Sequence, residues 1–132
     1  MRLGRKSEGT PYERWGGAPF FETLVARFYE GVEVDPLLRP MYPDDLTESR
    51  AHLALFLGQY WGGPPDYNAQ RGAPRLRMRH APFVIGRPEA DAWTRHMRAA
   101  VDAAVAEGTL EPDDASMLFE YLELAARTLV NR

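Results

Sequence analysis

Cysteine is absent from this chain of 132 residues. Its absence excludes disulfides, thiolate nucleophiles, cysteine-based zinc sites, cysteine-held iron–sulfur clusters and covalently attached c-type haem. Long apolar runs are missing too: nowhere do 18 consecutive apolar residues occur, so we expect no membrane-spanning segment. The start of the chain, residues 1–17, has basic side chains but no apolar stretch after them, unlike a secretory signal. The sequence therefore predicts a cytoplasmic protein.

Strong charge of one sign is also missing. The net charge is −3, and the basic residues alternate with acidic ones rather than forming one long block. A nucleic-acid groove needs a basic stripe, so nucleic acid is not an expected partner. With 45% hydrophobic and 27% charged residues, the composition is typical of a soluble globular protein. The length suits one domain with a modest core.

The motifs of common catalytic sites do not occur either. There is no G-x-S-x-G, and the glycine pairs at 16–17 and 62–63 lack the residues that complete a phosphate-binding loop. The chain has three histidines, none of which lies four residues from another. A zinc site with several protein ligands is therefore not expected.

Apolar residues instead recur with a helical period in four long segments. Residues 1–15 are polar and rich in glycine and proline, so they predict a flexible N-terminal arm before a single domain of residues 16–132. No alternating strand pattern and no internal repeat is present, which makes the predicted fold class all-α. The predicted helices run from Phe20 to Val32, from about Leu46 to Trp61, from Pro88 to the capping Gly108, and from Pro112 to about Val130.

Residues 62–74, GGPPDYNAQRGAP, form a long connection without periodicity. Structureless stretches of this length in a small domain are usually functional. A short helical piece follows and ends at Pro82, and it contains His80. On position alone, His80 is as readily a partly exposed histidine at a helix end as a ligand. His52 and His96 lie at the flanks of their apolar faces and are expected at the surface.

Three aromatic residues with polar tips occupy apolar surroundings. Tyr29 lies at the edge of the first helix's apolar face, Tyr42 in the apolar corner DPLLRPMYP, and Trp93 at the centre of the third helix's face. A buried phenol or indole N–H needs a hydrogen-bond partner. Each residue alone is more often part of the core than of a site.

Taken together, these segments resemble a known family, the truncated haemoglobins, and within it group II. The resemblance covers about residues 15–131 and is most specific between residues 53 and 83. It implies a two-over-two helical sandwich around non-covalent haem b, iron protoporphyrin IX. The matching stretches are RFYEGV (27–32), LLRPMYPDDL (37–46), LALFLGQYWGGPPDYNAQRGAPRLRMRHAPF (53–83), DAWTRHM (91–97) and EYLELAARTLVN (120–131).

The resemblance also implies roles for individual residues. His80 is similar to the proximal histidine that binds the iron. Tyr29 resembles the distal tyrosine of the first long helix, Tyr42 the residue at the corner, and Trp93 the tryptophan that marks group II. The remaining expected cofactor-binding residues are Ser49 and Leu53 on the distal side, His52, Tyr67 and Arg79 near the propionates, and Phe56 and Leu76 in the pocket wall.

The function that the resemblance implies is binding of O2, NO, CO or similar small ligands at the open sixth position of the iron. Hydrogen-bond donors in a dry pocket favour O2 over CO. We therefore predict oxygen binding. The function is then either oxygen transport or redox turnover of NO or a peroxide, supported by an electron donor or reductase. Redox turnover suits a tightly held ligand better. The alternatives are a haem-based sensor, a non-catalytic binding module, and a haem-free helical interaction protein. A homodimer is left open.

Overall fold

All regular structure in the described part of the chain is helical. The structure is a computed structural model that describes residues 9–132. A 3-10 turn, Arg39–Met41, lies in the corner between the second and third helices. The predicted all-α class is confirmed. The α-helices are α1 Pro11–Trp15, α2 Ala18–Glu33, α3 Thr47–Tyr60, α4 Asp66–Arg71, α5 Leu76–His80, α6 Arg87–Glu107 and α7 Pro112–Thr128.

The four long helices form two packed pairs. Helix α2 packs on α3, α6 packs on α7, and the two pairs meet through α2 and α6. This is the arrangement expected of a two-over-two sandwich. The core between the pairs is most densely filled from α2, whose Leu24, Val25, Phe28 and Val32 are almost completely buried. Each such side chain contributes about 1.5–3 kcal/mol through burial. Within residues 9–132, no helix is both long and apolar enough to cross a lipid bilayer.

Local sequence explains where α6 begins and ends. The backbone N–H of Gly86 donates to the Glu89 carboxylate at 2.8 Å, and Pro88 occupies the first turn, where its missing N–H is not needed. Gly108 ends the helix with φ 83°, a left-handed conformation that glycine adopts without strain. The observed helix therefore starts one residue before the predicted Pro88 and ends at the predicted cap.

The predicted flexible arm, residues 1–15, is described by the structure only from residue 9, and that part contains a helix. Residues 1–8 lie outside the described residues, but Pro11–Trp15 forms α1, and Trp15 is only 5% exposed. The Trp15 indole N–H donates to Asp114 Oδ2 at 2.9 Å, which ties α1 to α7. The Arg14–Asp114 ion pair at 3.3 Å, the Tyr12 N–H bond to the Trp61 carbonyl at 2.9 Å and a Thr10–Glu13 capping box also hold this segment. A helix of five residues is too short to show a period.

The connection at residues 62–74 also contains a helix that the sequence pattern did not show. Helix α4 lies inside it and buries Tyr67. Gln59, at the end of α3, receives the backbone N–H of Asn68 and donates to the Asn68 side chain, both at 3.0 Å. The prediction that this stretch is structureless was wrong, because these tertiary contacts stabilise a turn and a half of helix.

Candidate functional site

A cavity of about 360 Å³ lies between the two helix pairs. Apolar side chains make up most of its wall, with a few polar groups among them, which is typical of a cofactor pocket. The structure thus brings together every residue that the sequence predicted for the site. These residues are Tyr29, Tyr42, Ser49, His52, Leu53, Phe56, Tyr67, Leu76, Arg79, His80 and Trp93.

His80 is the last residue of α5 and lies against this cavity. Its Nδ1 lies 2.7 Å from the backbone carbonyl oxygen of Leu76. A carbonyl oxygen only accepts, so Nδ1 carries the proton and donates, and Nε2 of the neutral ring keeps its lone pair. Nε2 has no hydrogen-bond partner among residues 9–132. Histidines that bind metals commonly donate their other N–H to a backbone carbonyl in this way.

The C-terminal segment holds the short α5 in place. The Asn131 side-chain amide donates to the carbonyl oxygens of His80, at 3.3 Å, and Phe83, at 2.8 Å. Asn131 and Ile85 also exchange two hydrogen bonds of 2.8 Å, one through each backbone N–H. Asn131 is not among the residues that the sequence predicted for the site. Its partners lie about 50 residues away, so no local pattern could have identified it.

Three aromatic residues from separate elements come together in the cavity wall. Tyr29 comes from α2, Tyr42 from the corner, and Trp93 from α6. The Tyr29 and Tyr42 ring centroids are 5.5 Å apart in an edge-to-face arrangement. The ring centroid of Phe28 lies 5.0 Å from that of Tyr29 and 5.1 Å from that of Trp93, so Phe28 packs against both residues.

The pKa values of the two phenols reflect their burial and their polar neighbours. Burial raises the pKa of Tyr42 to about 12, against Trp93 and Tyr29, which lower it. Burial, and next the neighbouring Tyr42, raise the pKa of Tyr29, whereas the Ser49 hydroxyl lowers it. An indole N–H only donates, so Trp93 faces the Tyr42 oxygen as a donor. The polar tips of Ser49, Tyr29, Tyr42 and Trp93 therefore form one cluster in the cavity wall.

The rim of the cavity carries two hydrogen-bonded basic residues, Arg71 and His52, of which the sequence predicted only His52 for the site. Arg71 Nη1 lies 2.6 Å from His52 Nδ1, and a guanidinium only donates, so Nδ1 accepts. Arg71 also lies over the Tyr67 ring, 5.9 Å from its centroid. The guanidinium of Arg79 donates to backbone carbonyls, with bonds of 2.7 Å to Pro74 and to Arg71. Arg71, which was not predicted, therefore presents its side chain to the rim, and Arg79 mainly holds the loop.

His96 is not the surface residue that the sequence predicted. Its side chain is 20% exposed, and its Nε2–H donates to Asp35 Oδ2 at 2.6 Å. Its ring packs on Gly31 so closely that a Cβ there would lie 2.3 Å from Nδ1. The hydrogen bond from His96 is the largest cause of the lowered pKa of Asp35. Asp35 also accepts from the Leu37 backbone N–H at 2.8 Å. The Asp35–His96 pair links α6 to the corner that carries Tyr42. On α6, His96 lies about one turn from Trp93.

Comparisons with known proteins agree with this geometry. The family model described as "Bacterial-like globin" matches residues 10–128. The Group 2 truncated hemoglobin YjbI of Bacillus subtilis (strain 168) is 44% identical over 127 residues, which cover 96% of this chain and 92% of that protein. The chain belongs to the bacterial-like globins, as a group II truncated haemoglobin.

Solved structures show the same fold. A thermostable haemoglobin from Thermobifida fusca has a TM-score of 0.88 at 52% identity, covering 93% of this chain and 98% of that one. The haemoglobin of Chloroflexus aurantiacus has a TM-score of 0.88 at 49% identity, covering 95% and 100%. A truncated oxygen-avid haemoglobin from Bacillus subtilis has a TM-score of 0.85 at 45% identity, covering 93% and 100%. The predicted two-over-two fold is confirmed.

Haem b is the cofactor of this truncated haemoglobin, as predicted. The residues present fit it. The cavity is mostly apolar, as a macrocycle requires, and the unshared lone pair of His80 Nε2 is the donor that haem iron takes from a globin. The family binds oxygen and similar small ligands through this haem.

Proposed function

We propose that this truncated haemoglobin holds O2 tightly at its haem and carries out redox chemistry on the held ligand. The observation that carries the proposal is one cavity with an imidazole on one wall and three hydrogen-bond donors, Tyr29, Tyr42 and Trp93, on another. Haem iron held by a single imidazole leaves one coordination position for a diatomic ligand. The chain's own residues then determine which ligand is retained.

His80 would hold the iron through Nε2. Its bond to the Leu76 carbonyl fixes the ring's orientation and makes the free nitrogen more basic. A short helix and the Asn131 side chain keep this nitrogen in place. The proximal role of His80 thus rests on a defined tautomer as well as on its position.

Tyr42 would be the principal donor to the ligand. Trp93, whose indole N–H can only donate, neighbours the Tyr42 oxygen, so the Tyr42 O–H would be available to a ligand in the cavity. A donor at the same oxygen polarises the O–H and strengthens the bond that it gives. One hydrogen bond to a charged acceptor contributes about 1.5–3 kcal/mol. Dissociation of a ligand that carries negative charge then slows roughly tenfold or more.

The remaining residues would fix the position of the macrocycle. Leu53 and Phe56 shape the apolar wall of α3, and Leu76 would add apolar contact from α5, the helix that carries His80. Arg71 would be the cationic partner of the haem propionates at the rim, and His52, whose Nδ1 accepts from Arg71, would orient the guanidinium.

Retention of this kind supports chemistry on O2 rather than oxygen transport. We propose oxidation of NO or reduction of a peroxide, with an electron donor restoring the ferrous iron. The description of the similar Bacillus subtilis structure as oxygen-avid supports strong retention. The cytoplasmic location and the homodimer stay predictions of the sequence.

The experiment begins with the purified protein, in which we expect a Soret band and one haem b per chain. Stopped-flow mixing should then show slow O2 release and rapid consumption of NO by the oxygenated protein, with nitrate as the product. Ligand binding without turnover of NO or peroxide would leave the binding module or sensor as the function. A protein without a Soret band would contradict the proposal altogether.

A further inference from the structure

Positive charge is concentrated between residues 67 and 88, an exception to the alternation of basic and acidic residues in the rest of the chain. This stretch contains five arginines and no aspartate or glutamate. Subtracting their charge from the net charge of −3 leaves −8 on the rest of the chain. The protein is therefore strongly polarised along its sequence. The arginines are Arg71, Arg75, Arg77, Arg79 and Arg87.

None of these five arginines is neutralised by a carboxylate within residues 9–132. Five arginines elsewhere in that range do pair with a carboxylate. Arg75, Arg77 and Arg87 are exposed, and their side chains make no hydrogen bond to the described chain. Their charges are thus available to a partner.

Exposed apolar side chains lie in the same stretch. Met78 is 61% exposed, Phe83 44% and Val84 58%. Arginine, methionine and phenylalanine are residue types enriched in protein interfaces. Phe83 also lines the cavity, and its ring centroid is 6.4 Å from that of His80. The exposed apolar group therefore reaches directly to the predicted iron ligand.

This surface is held in place rather than loose. Asn131 binds the carbonyl oxygens of His80 and Phe83 and pairs with Ile85, so the segment between α5 and α6 has fixed backbone positions. A surface that is already ordered loses little conformational freedom when a partner binds. We name the group of Arg75, Arg77, Met78, Phe83 and Val84 the proximal surface.

We propose that the proximal surface docks an acidic one-electron carrier protein that reduces the haem at its His80 edge. The inference rests on the proposed function, because redox turnover needs a reductant. In each encounter the carrier loses one electron and the ferric iron gains it, and no bond forms or breaks. Positive charge on an otherwise negative protein orients an acidic partner before contact and raises its association rate.

A protein partner fits this surface better than a membrane does. The helix that carries it, α5, has five residues, too few for an apolar face that inserts between lipids. Three exposed apolar side chains among arginines resemble instead the centre and rim of a small, transient protein interface.

The test uses the haem-loaded protein and a reduced plant-type [2Fe–2S] ferredoxin as the acidic probe. The variant R75E/R77E reverses two charges of the proximal surface. The matched control R98E/R127E reverses two exposed charges on α6 and α7 and changes the net charge equally. Stopped-flow absorbance measures haem reduction across ionic strengths, and amide NMR shifts of the ferric protein measure binding separately.

We expect the parental reduction rate to fall steeply with salt, because exposed charges are screened. At low salt R75E/R77E should be slower by about tenfold or more, since loss of steering returns association towards its neutral rate. R98E/R127E should stay near the parental rate, and NMR shifts should cluster at residues 75–87.

Equal slowing of both variants would overturn the proposal, because net charge alone would then explain it. Shifts that cluster away from residues 75–87, or binding to phosphatidylglycerol vesicles in preference to ferredoxin, would also overturn it. Reduction by dithionite and the Soret band test the proposed function separately. A normal Soret band and normal dithionite reduction, with ferredoxin reduction indifferent to R75E/R77E, would contradict the docking surface alone.

Discussion

The two sides of the cavity are built in different ways. The distal side is made by α2, α3 and α6, long helices whose side chains pack into one buried core. The proximal side is residues 61–86, which contain only the short α4 and α5 and many exposed positions. The distal donors are thus fixed by many packing contacts, whereas the iron ligand is fixed by a few hydrogen bonds. Single substitutions should therefore do more damage on the proximal side.

The largest effect is expected from removing the ligand itself. His80→Ala should lose haem or change the iron's coordination, because no cysteine is present to replace it. The absorption spectrum and the rate of haem transfer to an apo-globin acceptor measure this. His96→Ala is the control, since His96 is bound to Asp35 away from the iron site and should retain haem. An unchanged spectrum in His80→Ala would remove the assignment of the proximal ligand.

Removing haem should loosen the two sides unequally. The apo protein should have a lower thermal midpoint, because a ligand that binds only the folded state stabilises it. Hydrogen exchange should rise most between residues 61 and 86, where few buried contacts remain without the macrocycle, and least in α2. Equal thermal midpoints for the apo and holo proteins, or uniform exchange along the chain, would contradict the comparison.

Asn131→Ala tests whether a few hydrogen bonds hold the proximal side. It removes bonds to His80, Phe83 and Ile85, and each contributes about 0.5–1.5 kcal/mol. Faster haem loss and a lower free energy of unfolding in urea are expected. Arg127→Ala is the control near the same terminus, because it breaks only an exposed ion pair with Glu123. Haem loss at the parental rate would show that α5 is held by other contacts.

On the distal side, Tyr42→Phe should speed O2 release roughly tenfold while changing CO release less, because it removes the donated proton but keeps the ring. Trp93 neighbours the Tyr42 oxygen, and its indole N–H can only donate, so Trp93→Phe and Tyr29→Phe should have smaller effects than Tyr42→Phe. Flash photolysis and stopped flow measure the rates. If all three variants release O2 at the parental rate, these residues are packing groups only.

The smallest effect is expected from Asp35→Asn, which weakens the link between α6 and the corner. O2 release should rise by less than in Tyr42→Phe, because Tyr42 is displaced rather than removed. Asp114→Asn, which breaks a similar link from α7 to Trp15, should leave O2 release unchanged. Equal effects of Asp35→Asn and Asp114→Asn would mean that Asp35 acts through general stability.

The Asp35 link also predicts a pH dependence. The folded state holds the pKa of Asp35 below its ordinary value of 3.8, so the carboxylate stabilises the fold above that value. This contribution is lost as the pH falls through the lowered pKa. Thermal melts between pH 3 and 7 should therefore show a steeper acid loss for the parental protein than for Asp35→Asn. Parallel curves would contradict this link.

The sequence predicted the four long helices and the short α5 well, and it missed the short α1 and α4. The long helices repeat their apolar period several times, so α6 and α7 were located to within about two residues. Helices α1 and α4 have five and six residues, less than two turns, and exist because Trp15 and Tyr67 are buried by the rest of the fold. Short helices draw most of their stability from tertiary contacts and show no apolar period, although Thr10 and Glu13 form a capping box at the start of α1.

For the candidate site too, the sequence determined some features and the tertiary structure determined others. The residue types at positions such as 80 and 93 are properties of the sequence, and their resemblance to a family was enough to name the fold, the haem and the residues of the pocket. The clustering of Tyr29, Tyr42 and Trp93, the Asp35–His96 pair and the hydrogen bonds of Asn131 were decided only by the tertiary structure. Each joins groups from separate helices and loops, many of them 50 or more residues apart. A sequence specifies which groups the chain carries, but distance and burial, which set partners and pKa values, arise only when the helices pack.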